Sequence, residues 1–288
     1  MATGALRVVP LDGELADVLA ARPDSAVQLW WLGQAGFVID GAGVRLVIDP
    51  YLSDSLAIKY RGTRFDHVRL MPAPVAPHRI RHVTAVLVTH AHGDHMDAGT
   101  LPELLGANPE AVLVAPSASR AQALQRSGIE PERCLPIDAG ESLTLGTGAG
   151  VRISAVRAAH ETLEVDGHGA HRCLGYGIRL GALSLLHTGD TVPFEGQVEE
   201  LRALRPDIGL FPVNGRDAYR RAHGVPGNME LAEAVTLART LGLAALIAHH
   251  FDLFGFNTVD RADIEGAARV TRDVQIVPAR TGASFRPA

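Results

Sequence analysis

The part of this chain with the clearest chemistry is a cluster of imidazoles and carboxylates in residues 89–97, which read Thr-His-Ala-His-Gly-Asp-His-Met-Asp. His90, His92, Asp94 and His95 stand within six residues, and no ordinary packing requirement explains that density. Neutral imidazoles and carboxylates are the ligands that divalent zinc, manganese or iron accept. The cluster therefore indicates a metal site rather than a solvated histidine-rich loop.

The cluster follows residues 83–89, an apolar, β-branched run that predicts a buried strand. We expect the ligands at the turn after this strand, where Gly93 supplies backbone freedom. Further candidates follow predicted strands in the same way, namely His160 after 151–156, Asp190 after the hairpin of 174–180 and 183–187, and His249 or His250 after 244–248. Strand ends at one rim of a sheet can converge on a single cleft, so these residues are candidates for one site.

The remaining pattern is that of an α/β chain. Further strands are predicted within 28–40 and over 44–49, 112–115 and 207–213, and helices over 99–105, 117–128 and 228–241, the last capped by Asn228. Residues 51–82 show no clear period and contain three prolines, and a connection this long is usually a lid or a binding loop. Because no linker divides the chain, we expect a single domain over residues 1–288 with a lid-like segment at about 51–82.

Composition limits the class of protein. The chain has 288 residues, 47% of them hydrophobic and 20% charged, which is ordinary for a soluble globular protein. A net charge of −5 without a basic run argues against nucleic acid as a partner. We see no apolar run of the ~18 residues that a membrane helix needs, and no secretory leader. Two cysteines cannot build a disulfide framework. We therefore expect a cytoplasmic protein with a small-molecule substrate, and a homo-oligomer stays open.

The His-x-His-x-Asp-His pattern after an apolar strand resembles the metallo-β-lactamase superfamily. The resemblance extends to Trp30-Trp31-Leu32-Gly33-Gln34-Ala35-Gly36-Phe37, to His187-Thr188-Gly189-Asp190-Thr191 and to residues 227–252, which together are similar to the L-ascorbate-6-phosphate lactonase-like branch. It implies an α/β fold, a four-layer αββα sandwich with metals at one edge. The histidine at position 160 departs from the ascorbate-phosphate enzymes and indicates a neighbouring subgroup.

The resemblance also implies two divalent metal ions. It assigns His90, His92 and His160 to one ion, Asp94, His95 and His250 to the other, and Asp190 to the bridge between them. His250 is favoured over His249 because an aromatic residue and then Asp or Gly follow the last ligand in this branch, as Phe251 and Asp252 do here. Zinc is the superfamily default and manganese is associated with the branch, while nitrogen and oxygen ligands also suit iron. A single bound ion stays open.

Two such ions can lower the pKa of a shared water from 15.7 toward ~7 and polarise a substrate oxygen. Asp94 is the candidate catalytic residue, because it could orient that water and carry a proton to the leaving oxygen. We therefore expect a metal-dependent hydrolase of a small ester-like substrate, with a lactone as the leading class.

Four residues are candidates for substrate binding. The planar fork of Arg216 could bind a phosphate or carboxylate, with Asp217 beside it. His171 could touch substrate from a hairpin tip, and Phe251 could wall the cleft. The structural alternatives are a solvated arginine, a capping aspartate, a surface histidine and a core phenylalanine.

Other functions remain compatible with the same ligands. A phosphodiesterase would use the same chemistry on a small or cyclic phosphodiester, with Arg216 balancing the extra charge. An iron-dependent redox member of the superfamily is a further alternative. A non-catalytic binding module would keep the fold alone, but the intact set of candidate ligands argues against it.

Overall fold

The computed structural model describes residues 6–146 and 150–288, and fifteen strands and eight α-helices are present in these ranges. The strands are β1 (Leu6–Pro10), β2 (Gln28–Gly33), β3 (Gly36–Gly41), β4 (Val44–Ile48), β5 (Ala85–Leu87), β6 (Val112–Pro116), β7 (Cys134–Ile137), β8 (Ser142–Leu145), β9 (Val151–Arg157), β10 (Leu174–Leu180), β11 (Leu183–His187), β12 (Ile208–Pro212), β13 (Ala245–His249), β14 (Gln275–Pro278) and β15 (Ala283–Pro287). The helices are α1 (Leu15–Ala20), α2 (Ser55–Lys59), α3 (Leu101–Gly106), α4 (Arg120–Ser127), α5 (Gln197–Ala203), α6 (Ala218–Ala222), α7 (Leu231–Leu241) and α8 (Arg261–Val270).

The strands form two mixed sheets, with the order β1-β15-β2-β3-β4-β5-β6-β7 in the first and β14-β13-β12-β11-β10-β9-β8 in the second. Side chains alternate between the two faces of each strand. Trp31 and Phe37 therefore enter the core that joins the two sheets, whereas Trp30 and Val38 pack in a second core with α1, α3 and α4. Helices α5, α7 and α8 lie against the second sheet. This is the four-layer α/β sandwich that the resemblance implies.

The predicted bounds of an element agree with the structure where a turn residue marks its end. The hairpin forms with the predicted bounds, and its turn contains Gly181 in the left-handed region at φ 62°. The cap of α7 was placed wrongly at Asn228. Glu230 and Glu233 close a capping box, in which each side chain accepts from the other residue's backbone N–H. Asn228 is instead buried and donates from Nδ2 to Asn214 Oδ1 at 3.0 Å.

The irregular segment 51–82 contains α2 and a short 3-10 turn at Pro77–Arg79. It is tied to the loop after β13, because Leu70 N donates to Leu253 O at 2.9 Å beside an isolated bridge between Arg69 and Phe254. Its role as a lid stays a prediction. Within the described ranges, no helix has the length and apolar character needed to cross a bilayer.

Candidate metal centre

The seven predicted ligands meet at one edge of the sandwich because each follows a strand. β9, β11 and β13 run in the same direction in the second sheet, so His160, Asp190 and His250 emerge at the same edge. The loop after β5 in the first sheet meets them there. Donor atoms within 4.8 Å of one another form three groups, which are His90, His92 and His160; His90, His95 and Asp190; and Asp94, His95 and His250.

Asp190 lies at the centre of these groups. Its Oδ2 atom is 3.1 Å from His250 Nε2, 3.4 Å from His95 Nε2 and 3.8 Å from His160 Nε2. Gly189 before it has φ 63°, and a Cβ there would stand 2.3 Å from Leu174 O. Only glycine fits this turn without displacing backbone, and the turn directs the carboxylate of Asp190 into the cluster.

Asp94 belongs to the last of these groups. Its Oδ2 atom is 3.8 Å from His95 Nε2 and 3.9 Å from His250 Nε2, and it accepts a hydrogen bond from Gln34 Nε2 at 2.7 Å. Burial alone would raise the pKa of Asp94, but the imidazoles of His95 and His250 outweigh it, and the net pKa lies below its ordinary value. Asp94 is therefore an ionised carboxylate at neutral pH.

The imidazoles of the first group are held neutral. His90 Nε2 and His92 Nδ1 are 3.0 Å apart, and the ring of His160 lies 4.9 Å from that of His92. Burial lowers the pKa of His90 well below its ordinary value and that of His160 to about 4. A neutral imidazole has a free lone pair, which is the form that binds a metal ion.

His95 has the opposite electrostatic environment. Burial lowers its pKa, but the carboxylates of Asp190, Asp49 and Asp94 outweigh burial and raise the pKa well above its ordinary value. Burial raises the pKa of Asp190, but the charges of His250 and His95 outweigh burial and bring this pKa well below its usual range. Buried carboxylates that stay ionised create a negative centre, and a cation bound there would be stabilised.

A further observation indicates that these residues suit divalent cations. Several buried polar atoms at the centre have no hydrogen-bond partner among the described residues: His95 Nε2, His160 Nδ1, Asp190 Oδ1, and both ring nitrogens of His250. A buried polar atom without a partner is costly, so such a cluster calls for a ligand. An all-nitrogen and oxygen donor set suits zinc, manganese or iron.

The structure separates the two candidates for the last ligand. His250 has φ 65°, and its backbone N donates to Gln34 O at 3.0 Å. Its side chain reaches Asp94 and Asp190, as described above. His249 points the other way, with its ring 5.5 Å from that of Phe37 and stacked 5.0 Å from that of His187.

Sequence reasoning missed the residues that hold the ligands from behind. Asp49 is fully buried after β4, and its Oδ2 accepts from His95 Nδ1 at 2.7 Å. Arg126 in α4 donates to the carbonyls of Ala91 at 2.6 Å and Met96 at 3.1 Å, which fixes both ends of the ligand loop. Such partners orient ligands and set their tautomers. The available signals were the carboxylate at a strand end and its position before Pro50.

Gly93 serves a different purpose from the predicted one. Its φ is not in the left-handed region, and a Cβ at this position would stand 2.6 Å from Leu56 Cδ2. The glycine therefore lets the ligand loop approach α2 closely.

The metal donors open into a cleft of about 750 Å³, whose lining includes His92, Asp94, His160, Asp190 and His250. This volume suits a small-molecule ligand. The segment 51–82 contributes much of one side, including Leu56, Tyr60 and Phe65.

The four residues predicted to bind substrate lie outside the lining of this cleft, and their role in substrate binding stays a prediction. Arg216 donates from Nη1 and Nη2 to Glu233 at 2.6 and 2.8 Å, and Asp217 caps α6 by accepting from Arg220 N. His171 pairs with Asp138 at 3.0 Å. Phe251 is fully buried and stacks on Trp31 with ring centroids 5.4 Å apart. Asp217 and Phe251 have the contacts of their structural alternatives, a capping aspartate and a core phenylalanine.

Residues 44–251 match the model of a family described as "Beta-lactamase superfamily domain". A relative from Sulfurisphaera tokodaii, named a UPF0173 metal-dependent hydrolase, is 28% identical over 205 residues, which cover 69% of this chain and 78% of the relative.

Two solved structures share the fold. Isothiocyanate hydrolase from Delia radicum gut bacteria has a TM-score of 0.67 and 18% identity, over 91% of this chain and 100% of that chain. CmlA, a diiron beta-hydroxylase from Streptomyces venezuelae, has a TM-score of 0.64 and 15% identity, over 92% of this chain and 55% of that chain. At these identities the likeness is one of fold alone.

Proposed function

The chain belongs to the beta-lactamase superfamily, and we propose that it is a metal-dependent hydrolase that opens the ring of a small lactone. The observation that carries the proposal is the convergence of seven donor side chains, several of whose buried atoms have no partner in the described part of the chain. The relative named as a metal-dependent hydrolase supports the reaction type. The resemblance to the L-ascorbate-6-phosphate lactonase-like branch supports a lactone as the substrate.

The donors would hold two divalent ions, zinc or manganese. We assign His90, His92 and His160 to the first, Asp94, His95 and His250 to the second, and Asp190 to both, because a carboxylate has two oxygens. Ions bound there would make water nucleophilic at neutral pH and would polarise the scissile carbonyl. A single bound ion would still be held by either triad.

Asp94 moves the proton in this proposal. Its Oδ2 is fixed by Gln34 and faces His95 and His250, which places the carboxylate to accept a proton from the attacking water. Because the carboxylate is ionised beforehand, it can take that proton and return it to the leaving oxygen as the ring opens. Leu56 and Phe254 line the same cleft and reduce the access of bulk water.

The phosphodiesterase alternative loses the residue on which it depended, since the guanidinium of Arg216 is engaged by Glu233. The redox alternative keeps one supporting observation, because a neighbour with this fold is named as a diiron beta-hydroxylase and nitrogen and oxygen ligands suit iron. Metal content distinguishes it from hydrolysis.

The test is turnover of a lactone panel by protein stripped with a chelator and then reloaded with Zn²⁺ or Mn²⁺. We expect ring opening only after reloading. His92→Ala and Asp190→Ala should each lose more than the ~10–100-fold that removal of an outer hydrogen-bond partner costs. His78→Ala is the matched control, because His78 has a side chain that is 63% exposed and pairs with Glu103. Unchanged rates in both ligand variants would reject the site, and iron with oxygen consumption but no ring opening would reject the hydrolase.

A further inference from the structure

One wall of the cleft is aromatic. It consists of Tyr60, Phe65, His67, Phe254 and Phe256, which we call the aromatic wall, and all five line the same cavity as the metal donors. His67 stacks on Tyr60 with ring centroids 4.4 Å apart and meets Phe254 and Phe256 edge-on at 4.8 Å. Phe65 lies 5.0 Å from Phe256. These separations are those of interacting aromatic pairs.

The aromatic wall differs from core packing. Core rings such as Phe37 and Phe211 are fully buried, whereas Tyr60, Phe65, His67 and Phe256 keep part of their surface exposed. That surface faces a concave site beside the metal donors. Apolar surface left open in a concavity is typical of a ligand-binding site.

The aromatic wall is also preformed. It joins two segments, 55–67 and the loop after β13, which the hydrogen bond from Leu70 N to Leu253 O holds together at 2.9 Å. His67 Nδ1 lies 2.7 Å from Phe65 O, which fixes the imidazole at the centre of the wall. A ligand ring would therefore meet surfaces that need little reordering.

Two cationic side chains already lie against aromatic rings at or beside the aromatic wall. Lys59, the only lysine of the chain, has its Nζ 4.8 Å from the Tyr60 ring centroid. The guanidinium of Arg64 lies 5.8 Å from the ring of Tyr219, which in turn contacts Phe65 edge-on. A cation seated on aromatic faces would meet these like charges. An uncharged flat group meets no such penalty.

We propose that the aromatic wall is a specificity subsite that binds an uncharged aryl group of the substrate. The inference rests on the proposed function for the reaction beside it and names the class of substrate, a lactone that carries an aromatic ring. An aryl ring would bury its apolar surface against Phe65 and Phe256 in stacked or edge-on geometry.

The experiment measures binding without turnover. Wild-type chain kept metal-free by a chelator is titrated with γ-phenyl-γ-butyrolactone and with γ-valerolactone, which carries a methyl group in place of the phenyl ring. We expect the phenyl lactone to bind at least about tenfold more tightly. In Phe65→Ala the preference should fall to about threefold or less.

Phe194→Ala is the matched control, because Phe194 is a half-buried phenylalanine elsewhere in the fold, with the guanidinium of Arg157 5.3 Å from its ring centroid. It should keep the full preference. Tyr60→Leu is a second cleft variant in case Phe65→Ala unfolds, and it should also weaken the preference. Equal binding of both lactones by the wild type, or an undiminished preference in a folded Phe65 or Tyr60 variant, overturns the inference. Absence of lactone hydrolysis by the reloaded enzyme would instead reject the proposed reaction, since the preference is measured without catalysis.

Discussion

Asp49 offers the sharpest perturbation of the site, because it touches a ligand and is itself outside the cleft lining. Its Oδ1 accepts from Thr89 N at 2.7 Å, and its Oδ2 accepts from Thr89 Oγ1 at 2.6 Å and from His95 Nδ1 at 2.7 Å. Asp49→Asn preserves the shape but turns one oxygen into an NH₂ donor. In one orientation that donor faces the Thr89 N–H, and in the other it faces His95.

The magnitude follows from these contacts. A buried donor left without a partner costs about 1–3 kcal/mol, so we take about 2 kcal/mol of unfolding free energy. For a chain of roughly this size, each kcal/mol of lost unfolding free energy lowers the melting temperature by ~2–4 °C, so the melting temperature of metal-free protein should fall by about 4–8 °C. A bound cation needs Nε2 of His95 free and the one remaining proton on Nδ1. If Nδ1 instead accepts from the new amide, that remaining proton stays on Nε2, the atom that faces Asp94 and Asp190. A protonated Nε2 cannot bind a metal ion, so metal affinity should fall ~10–100-fold.

The assay pairs thermal unfolding of metal-free protein with metal titration in a chelator-buffered solution. Asp40→Asn is the control, because Asp40 is also buried and accepts from Arg45 Nε at 2.8 Å and Nη2 at 2.7 Å, in a pair that includes no metal donor. This control should lose stability and retain metal affinity. Wild-type metal affinity in Asp49→Asn would refute the reasoning, as would an equal loss of affinity in Asp40→Asn.

The convergence of the candidate ligands could be predicted from sequence because much of the information is local. His90, His92, Asp94 and His95 share one short loop, and Asp190 follows a hairpin whose turn glycine marks its position. Runs of alternating or continuous apolar residues locate the strands. Because strands that share a direction end at the same edge of a sheet, the residues that follow them come together there. The residues that follow favoured His250 over His249, but the opposite directions of the two side chains could not be predicted, since they depend on the left-handed backbone of His250.

The supporting residues could not be predicted, because their roles depend on contacts distant in sequence. Gln34 and Asp49 have φ values of 50° and 44°, and left-handed backbone in residues other than glycine has no pattern signature. Gln34 reaches Asp94, and Asp49 reaches His95, from a different loop. The ion pair of Arg216 could not be predicted for the same reason, since its partner Glu233 lies on a later helix.

The outer elements also escaped prediction. The pairing of β1 with β15 joins Leu6 to Pro287 across the whole chain, and both strands are five residues long. Such short strands carry too few residues for a clear period, so only the tertiary contact defines them. Helix α8 was not predicted either, and Ile264 is its one buried residue.

Two further predictions concern titration. Carboxylates raise the pKa of His95 well above its ordinary value despite burial, so metal-free protein carries a proton there at neutral pH that a cation must expel. Metal affinity should therefore rise with pH, by up to ~tenfold per pH unit, and binding should release about one proton. Calorimetry in two buffers of different ionisation heat measures the number of protons released. A metal affinity that does not change with pH would contradict this prediction. Burial, followed by the charge of Asp190, raises the pKa of the Cys173 thiol to about 12. At pH 8 the thiolate is therefore ~10³-fold scarcer than in an unfolded chain, and a disulfide reagent should modify native Cys173 slower by that order than urea-unfolded protein. Equal rates would mean that the native loop around Cys173 opens faster than the reagent reacts. Two features argue against such opening: the carbonyl of Cys173 accepts a hydrogen bond from Ala158 N at 3.2 Å, and Cys173 directly precedes β10.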